Sequence, residues 1–415
     1  MMKFNYNKFY DYVFASLVFF IPLSTATPNI ILSLITILFL FKINKEDLSI
    51  FKNKLNQLLL AIITLILLNS LVNHSISEDL NLISRLILIL LVQIVAFKVV
   101  NKHLVKLFFV ASVNIVVCFT IYSIFSFYLE TESFIFGNTK SVSEILPLER
   151  PYLGFLCLLN VLVSFHLINY YSKVFLKTAF LLSAIVSVLV IVTISARISL
   201  LSLLVILFIS IFYSKKKNLK MRIQLFSIFI LVITGTLATI FMNKNLSERF
   251  FIEDTYKKSL KKMAVYEPRV VIWNCAINIT NSDEFNLMSG LQGFNETSKK
   301  LIECYDSDIQ NKSKKDYFLN EKFNTHNQFV DFFLSHGIFL FLLLSVIFIN
   351  GFFININRFP SIGIIIAFSL FFFVENVLHR QLGCYLFGVF MYLYFYNQDL
   401  ANNKLMPNHA SRKRK

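Results

Sequence analysis

Long apolar stretches recur along the whole chain and constrain its fold more than any other feature. A helix needs about 20 consecutive apolar residues to cross the hydrocarbon core of a membrane. Apolar residues make up 56% of the 415-residue chain and charged residues 15%, whereas soluble domains average about 45–50% and about 25%. This pattern excludes a soluble globule, a disordered chain and a secreted disulfide scaffold, and it predicts a multispanning membrane protein.

Twelve candidate spans can be delimited from these stretches. The first resembles a signal peptide in length, but no small-residue cleavage site followed by a soluble chain is present, so we interpret it as a span. The expected fold class is therefore an all-α polytopic membrane protein with about 12 transmembrane helices. The spans cover residues 12–27, 29–43, 55–72, 80–97, 104–129, 151–171, 174–195, 198–213, 223–242, 326–349, 361–377 and 381–396.

The distribution of Lys and Arg over the loops predicts the orientation of these spans. The alternate loops that include both termini carry 22 Lys and Arg residues against four acidic residues, a net charge of +18. The opposite short loops carry only Lys140, Arg150, Arg197 and Arg380. Because cytoplasmic loops are enriched in Lys and Arg, we expect both termini in the cytoplasm.

The net charge of the whole chain, +16, would by itself suggest nucleic-acid binding, but its placement excludes that function. The cations flank the spans, where they orient helices and contact anionic headgroups of membrane lipids. The sequence contains no basic module interleaved with aromatic residues, which is the pattern typical of nucleic-acid binding.

One polar insertion, 243–325, separates spans nine and ten and faces the outside by the same parity. It has 13 Lys and Arg against 12 Asp and Glu, and it holds the only Trp of the chain. Apolar spacing predicts a helix over 269–278 that Pro268 would start, whereas the polar stretch 303–322 is expected to be mobile. A loop of this size can cover a cavity at the outer face; the alternative is a loop without a role. The predicted units are spans one to nine (1–242), the periplasmic loop domain (243–325), spans ten to twelve (326–396) and a basic cytoplasmic tail (397–415).

The five cysteines divide between two environments. Cys118, Cys157 and Cys384 lie in spans, where Cys behaves as a small apolar residue. Cys275 and Cys304 lie in the outward loop, which faces an oxidising compartment if that compartment is the periplasm. A disulfide between these two is therefore a hypothesis, with a pair of free thiols as the alternative.

Charged and polar side chains collect where the spans reach the outer face. Charge in a membrane is costly, so such residues are functional candidates. Asn327, Asp331 and Ser335 follow one another at helical spacing, as one polar stripe running into the membrane from the start of span ten. The charged or titratable members of the set are Arg85, Arg150, Arg197, Arg269, Arg380, His326, His379 and Glu375.

This set matches what a diphosphate held at the outer leaflet would require. Guanidinium groups bind phosphate oxygens through paired hydrogen bonds and stay charged, and a His can accept a proton from a sugar hydroxyl. The sequence has no ligand spacing for zinc or magnesium and no glycine-rich nucleotide loop. We therefore expect neither a metal nor a cofactor.

Several of these arginines also have a purely structural interpretation. A single Arg at a helix end is commonly an anchor that reaches the lipid headgroups. That alternative stands for Arg85, Arg150 and Arg380.

The histidines of span ten have structural interpretations as well. Taken alone, His326 would be a second polar residue at the helix start, beside a cap at Asn324 or Thr325. His336, in the middle of span ten, is expected to form a hydrogen bond between helices. The order and spacing of the motifs therefore carry more weight than any one residue.

Four short motifs follow one another between residues 150 and 340. In chain order they are a Ser-x-Arg turn (Ser195-Ala-Arg197), an Arg-x-x-x-Trp helix (Arg269 to Trp273), a Gly-x-x-Gly-Phe turn (Gly290 to Phe294) and a His-Asn pair followed by a glycine (His326-Asn327, Gly337). In this order they resemble the O-antigen ligase / O-antigen polymerase superfamily. The resemblance is close over these residues and extends to the remainder only through the number of spans.

The resemblance implies a membrane glycosyltransferase that needs no metal, nucleotide or ATP. Its donor is a glycan on undecaprenyl diphosphate at the periplasmic face of the bacterial inner membrane, and in the ligases its acceptor is a sugar hydroxyl of lipid A-core. The family's catalytic residues map onto Arg197, Arg269 and His326. The residues expected to bind substrate around them are Arg85, Arg150, Arg380, Asn327 and Asp331.

Other functions stay open at the level of sequence. Ile198 stands where the family usually has a small residue, which bears on the acceptor. A repeat-unit polymerase would use the same donor and a second lipid-linked glycan as acceptor, and a protein O-oligosaccharyltransferase would modify a protein. A transporter of lipid-linked glycans is a different class, but transporters place charge near the midplane and often contain repeated halves. Neither the sugar, the linkage nor the oligomeric state follows from the sequence.

Overall fold

The structure, a computed structural model, describes residues 5–132, 145–213, 219–242 and 267–395. Within these ranges the chain is helical and contains no strand, which confirms the all-α class. The first part of the predicted loop domain, 243–266, and the basic tail, 397–415, lie outside the described residues. The α-helices are α1 (Tyr6–Phe20), α2 (Thr27–Phe41), α3 (Lys54–Val72), α4 (Ile76–Ala96), α5 (Lys102–Thr131), α6 (Arg150–Tyr170), α7 (Val174–Thr193), α8 (Arg197–Tyr213), α9 (Leu219–Met242), α10 (Pro268–Thr280), α11 (Phe294–Asp308), α12 (Lys312–Glu321), α13 (Gln328–His336), α14 (Ile338–Ile354), α15 (Phe359–Phe372) and α16 (Gln381–Phe390).

Five of these helices, α3 to α7, are long and apolar enough to cross a membrane. Shorter apolar helices, among them α2, α8, α14 and α15, accompany them. Large apolar side chains lie on the outer surface, including Phe41 and Phe175, which are 80% and 81% exposed. Such a surface is unfavourable in water and suits lipid, so this is a membrane-embedded helical protein. Each of the twelve sequence-predicted spans overlaps a helix, and the number of crossings stays a prediction.

The predicted span ten, 326–349, is wrong as one continuous helix, because the chain breaks at Gly337. Gly337 has φ +81°, a left-handed backbone conformation that is unfavourable for residues other than glycine. The first amide of α14, at Ile338, donates to the carbonyl of Leu287 at 2.9 Å. Backbone amides of Leu291 and Gly293 in turn donate to the carbonyls of the last turn of α13, at 2.7 and 3.0 Å. The glycine turn of the loop domain therefore satisfies the backbone groups that the break leaves without partners.

Replacing Gly337 with Ala should destabilise the protein by about 2–5 kcal/mol, because the residue is both strained and crowded. A Cβ at this position would lie 2.2 Å from the carbonyl oxygen of Met288. Thermal unfolding of the purified protein measures the effect. The matched control is Gly235→Ala in α9, where a Cβ meets nothing within 4 Å and helix propensity favours Ala by about 1 kcal/mol. Equal melting temperatures for the two variants would contradict this account of the break.

Helices α10 to α12 form a small domain with a hydrophobic core of its own. Cys275 of α10 and Cys304 of α11 are joined by a disulfide with Cα atoms 5.8 Å apart, so the pairing hypothesis agrees with the structure. Leu334 of α13 is a buried member of the same core. The predicted helix start at Pro268 is confirmed, whereas residues 303–322, expected to be mobile, belong largely to α11 and α12. The domain thus packs directly on the broken span.

Helix α6 is the most buried of the five long helices, since 72% of its most apolar stretch is buried inside the protein. It packs on α15 through Phe155, whose ring stacks on Phe371 with centroids 4.0 Å apart. It also meets α8 at Gly154, where a Cβ would lie only 2.3 Å from the Cβ of Ala196. This close approach brings the start of α6, at Arg150, next to the turn between α7 and α8.

Candidate functional site

The turn between α7 and α8 fixes the position of Arg197. The amides of Ser195 and Ala196 donate to the carbonyls of Val192 and Ile191 at 3.0 and 3.1 Å, which is the hydrogen-bond pair of a Schellman motif. Ser195 occupies the left-handed position of this motif, with φ +53°, where glycine is usual. Because the motif ends α7 and α8 begins at the next helical residue, Arg197 is held at the very start of a helix.

Glu267 joins the two arginines that the sequence places in different parts of the chain. It is the N-cap residue of α10, directly before Pro268, and it is buried, with 8% of its surface exposed. Its Oε2 accepts from Arg197 at 2.6 Å and its Oε1 accepts from Arg269 at 3.1 Å. One carboxylate therefore brings the Ser-x-Arg turn and the loop helix together.

The line of contacts between charged and titratable groups continues from Arg269 to His326. The guanidinium group of Arg269 donates to Glu375 Oε1 at 2.9 Å and to the carbonyl of Val374 at 3.1 Å. The other oxygen of Glu375 lies 3.4 Å from Nδ1 of His326. The three residues that the family resemblance names as catalytic are thus connected in space through two carboxylates.

A cavity of about 460 Å³ opens beside this line of charges. Arg150, Arg197 and Arg269 line it, together with Glu267 and Trp273. We call it the arginine cavity. The hydroxyl of Ser195, which also lines it, is buried and has no hydrogen-bond partner among the described residues. The cavity therefore combines three guanidinium groups and a hydroxyl, a donor set suited to phosphate oxygens.

His326 stands just outside α13 rather than within it. Asn327 is the N-cap of α13, with its side-chain oxygen accepting from the amides of Phe329 and Val330, so the prediction of a cap at Asn324 or Thr325 is wrong. His326 has φ +43°, and its amide donates to the side chain of Asn324 at 3.0 Å. Its side chain is 26% exposed. The cap thus leaves the His326 ring outside the helix and partly exposed.

A buried polar network holds the start of α13 to the segment that carries Glu375. Asp331 receives hydrogen bonds from Asn376 at 3.0 Å and from Thr325 at 3.3 Å, and lies 2.7 Å from Nε2 of His379. The side-chain oxygen of Asn376 accepts from the amide of Asn327 at 2.8 Å. Asn327 and Asp331, both expected to bind substrate, are therefore engaged within the protein. Their contacts fix the spacing between His326 and Glu375.

Two of the expected substrate-binding arginines lie outside the arginine cavity. Arg85 donates to the carbonyl of His379, so it supports the turn that follows Glu375. Arg380 forms an ion pair with Glu149 at 2.8 Å in which both side chains are more than half exposed. Neither residue lines the cavity, whereas Arg150 does.

His336 does not form the interhelical hydrogen bond that the sequence suggested. Its ring is buried at the end of α13, and Nε2 lies 3.8 Å from the carboxylate of Asp79 in α4. Neither ring nitrogen has a hydrogen-bond partner among the described residues. The helix break at Gly337 ends α13 at this residue, which sets the ring beside Asp79 without bringing the two into hydrogen-bond contact.

The two arginines change the acidity of Glu267. Burial alone raises the pKa of this carboxyl group, but the charges and hydrogen bonds of Arg197 and Arg269 outweigh burial and hold the pKa below its ordinary value of 4.5. A carboxyl group with a lowered pKa stabilises the fold fully above its unfolded pKa and loses this effect as the pH falls through the folded value.

Glu267→Gln should therefore destabilise the protein by about 2 kcal/mol at neutral pH. The difference in melting temperature from the wild type should be constant from pH 7 to pH 5 and should shrink below the ordinary pKa of 4.5. Glu149→Gln, which removes an exposed partner of Arg380, is the control and should change little. A difference that stays constant down to pH 3.5 would argue against the ion pairs of Glu267.

Sequence reasoning did not single out Glu267 or Asn376, and it named Glu375 among the candidates at the outer face without giving it a specific role. A signal for Glu267 was present, because an acidic residue directly before a proline that starts a helix occupies the N-cap position. For Glu375 and Asn376 the signal was weaker: both lie at the end of the predicted span 361–377, and only the fold brings them against α13.

No protein-family model matches this chain. A search of curated proteins finds no significant relative either. The resemblance to the O-antigen ligase / O-antigen polymerase superfamily therefore depends on the four sequence motifs alone.

Proposed function

We propose that this protein is a membrane glycosyltransferase of the O-antigen ligase type. It would move a glycan from undecaprenyl diphosphate to lipid A-core or another surface glycan. The observation that carries the proposal is the line Arg197–Glu267–Arg269–Glu375–His326 beside a cavity with a third arginine. Residues from distant parts of the chain are assembled there into a site with phosphate-binding cations next to a titratable base.

In this proposal the arginine cavity holds the diphosphate of the donor. Arg150, Arg197 and Arg269 supply guanidinium groups that bind phosphate oxygens in pairs. Glu267 contacts two of these groups, those of Arg197 and Arg269, and the diphosphate competes with its carboxylate for the same N–H groups. Because these cations are already in place, they stabilise the charge that grows on the diphosphate as the bond to the sugar breaks.

His326 is the proposed general base. Its Nδ1 lies 3.4 Å from Glu375 without forming a hydrogen bond. In this proposal the carboxylate accepts the hydrogen of Nδ1 during the reaction and leaves Nε2 to accept a proton. The acceptor hydroxyl oxygen attacks the anomeric carbon and gives its proton to Nε2. The anomeric C–O bond breaks, and its electron pair leaves with the lipid diphosphate. No external energy source is needed, because the donor itself is the activated species.

The membrane arrangement belongs to the same proposal. Twelve spans, with both termini in the cytoplasm, would place the loop domain between spans nine and ten in the periplasm and the arginine cavity at the periplasmic face of the inner membrane. The positive-inside distribution of Lys and Arg supports this orientation. The disulfide of the loop domain is in keeping with an oxidising compartment.

Purified full-length protein in lipid nanodiscs tests the proposal directly. We expect it to transfer a glycan from an undecaprenyl-diphosphate donor to lipid A-core without added metal or ATP, with release of undecaprenyl diphosphate. Chelator and nucleotide controls accompany the assay. Elongation of the donor glycan with no transfer to core would indicate a repeat-unit polymerase, and failure with every lipid-linked donor would contradict glycosyl transfer altogether.

A further inference from the structure

Basic and aromatic side chains gather at the end of the bundle opposite the arginine cavity. Arg150 and His166 lie 16 residues apart on α6, which corresponds to about 24 Å along the helix. Here Lys106 of α5 is buried, at 6% exposure, and its Nζ lies 2.9 Å from Nε2 of His166. His103 lies on the same turn of α5, and its ring is 6.1 Å from that of His166. We call Lys106, His103 and His166 the lysine–histidine cluster.

Several buried polar atoms of the cluster have no hydrogen-bond partner among the described residues. Because Nε2 of His166 accepts from the Lys106 ammonium group, the ring hydrogen of a neutral His166 is on Nδ1. That Nδ1 and the Nδ1 of His103 are buried without a hydrogen-bond partner among the described residues, as is the hydroxyl of Tyr394. Lys106 otherwise contacts the face of the Tyr394 ring, 5.0 Å from its centroid.

Nearby charges add to the positive potential of the cluster. Lys102, one turn earlier on α5, lies 5.0 Å from the ring of Tyr392. Asp11, at the same end of the bundle, uses both carboxylate oxygens to accept from the backbone amides of Val100 and Asn101. Among the described residues no carboxylate forms an ion pair with Lys106. A buried ammonium group in this state is unfavourable unless an anion shares its environment.

We propose that the lysine–histidine cluster binds the phosphate group of an anionic membrane lipid. Phosphate oxygens are acceptors only, so they suit a set of donors that the protein itself leaves incompletely matched. Basic pockets between membrane helices on the cytoplasmic side are a recurrent place for anionic headgroups. His103 and His166 are partly exposed, which gives a headgroup access to the cluster from the surface. This inference does not depend on the proposed glycosyl transfer.

Thermal unfolding of the purified full-length chain in detergent tests the site with three additives at equal ionic strength. These are phosphatidylglycerol, which is anionic, phosphatidylcholine, which carries the same phosphate but no net charge, and inorganic phosphate. We expect phosphatidylglycerol near saturation to raise the melting temperature by about 5 °C and phosphatidylcholine to have no effect. A shift with inorganic phosphate alone, lost on changing Lys106, would support the anion site and identify free phosphate as its ligand.

Lys106→Met is the decisive variant, because Met keeps the length of the side chain and removes the charge. It should abolish the shift with phosphatidylglycerol while its melting temperature without lipid equals or exceeds that of the wild type, since an incompletely compensated buried cation has been removed. Lys177→Met changes an exposed lysine of α7 near the same end of the bundle and should keep the full shift. A shift that persists in Lys106→Met, or that disappears equally in both variants, overturns the proposal.

Native mass spectrometry provides a second measurement, and its first comparison uses the wild type alone. After delipidation, the protein should retain phosphatidylglycerol in preference to phosphatidylcholine from an equimolar mixture, and His166→Phe should lower that preference at least 10-fold. Equal retention of the two lipids by the wild type would exclude a charge-selective site.

Discussion

His326→Ala is expected to lower the rate of glycan transfer about 10²–10⁴-fold, the range that a general base contributes. Among the described residues, His326 is the imidazole that Glu375 connects to Arg269, and Ala at this position leaves no ring nitrogen to accept the proton of the acceptor hydroxyl. The measurement is single-turnover transfer from a lipid-linked glycan by the purified variant. Binding of the donor, which the arginines govern, should stay within a few-fold of the wild type.

A matched control separates this effect from damage to the fold. His74→Ala changes an exposed histidine in the turn between α3 and α4 and should transfer at the wild-type rate. Glu375→Gln should give an intermediate loss, because it weakens the orientation of the His326 ring and one contact of Arg269 without removing the base. Full activity of His326→Ala would exclude His326 as the general base. The arginine cavity is tested separately, by the Arg197→Lys variant.

Arg197→Lys should lower transfer about 100-fold, although the charge is preserved. Lys offers a single ammonium group in place of the planar fork that contacts paired phosphate oxygens. Its side chain also ends closer to the backbone, so it cannot keep the 2.6 Å contact that Arg197 makes with Glu267. The readout is the single-turnover rate at saturating donor, compared with the rate at low donor concentration.

Arg358→Lys, at the opposite end of the bundle, is the charge-preserving control and should leave both rates unchanged. If Arg197→Lys lowers only the affinity for the donor, Arg197 binds substrate and does not stabilise the transition state. An unchanged rate at every donor concentration would contradict the assignment of Arg197 to the diphosphate.

Hydropathy predicted the helical membrane class and the positions of most helices, because burial of apolar groups dominates that part of the fold. The start of α10 at Pro268 followed from a local rule about the first turn of a helix. The order of the motifs identified three candidate catalytic residues, Arg197, Arg269 and His326. Their proximity was not predictable, since it depends on two carboxylates whose contacts exist only after the helices have packed.

The break at Gly337 shows why the remainder was inaccessible to sequence reasoning. The stretch around it is apolar enough to read as one helix, and a single glycine inside a helical pattern is usually tolerated. What decides the conformation is the turn from Leu287 to Phe294, which supplies backbone hydrogen bonds to both sides of the break. Such a partner, about 40 residues away along the chain, leaves no periodic signal.

The attachment of the loop domain to α13 also limits how this protein can change over evolution. Leu334 belongs to the core of the loop domain. The glycine turn forms backbone hydrogen bonds with the end of α13 and the start of α14. A loop domain taken from a relative without its α13 would lack the contacts of Leu334 that complete its core. The recipient span would lose the backbone hydrogen bonds that it makes with the glycine turn. We expect chimaeras that transfer 267–337 together to fold, and chimaeras that transfer 267–325 alone to be degraded. Acceptor preference would then be inherited with the upper half of span ten, as one unit.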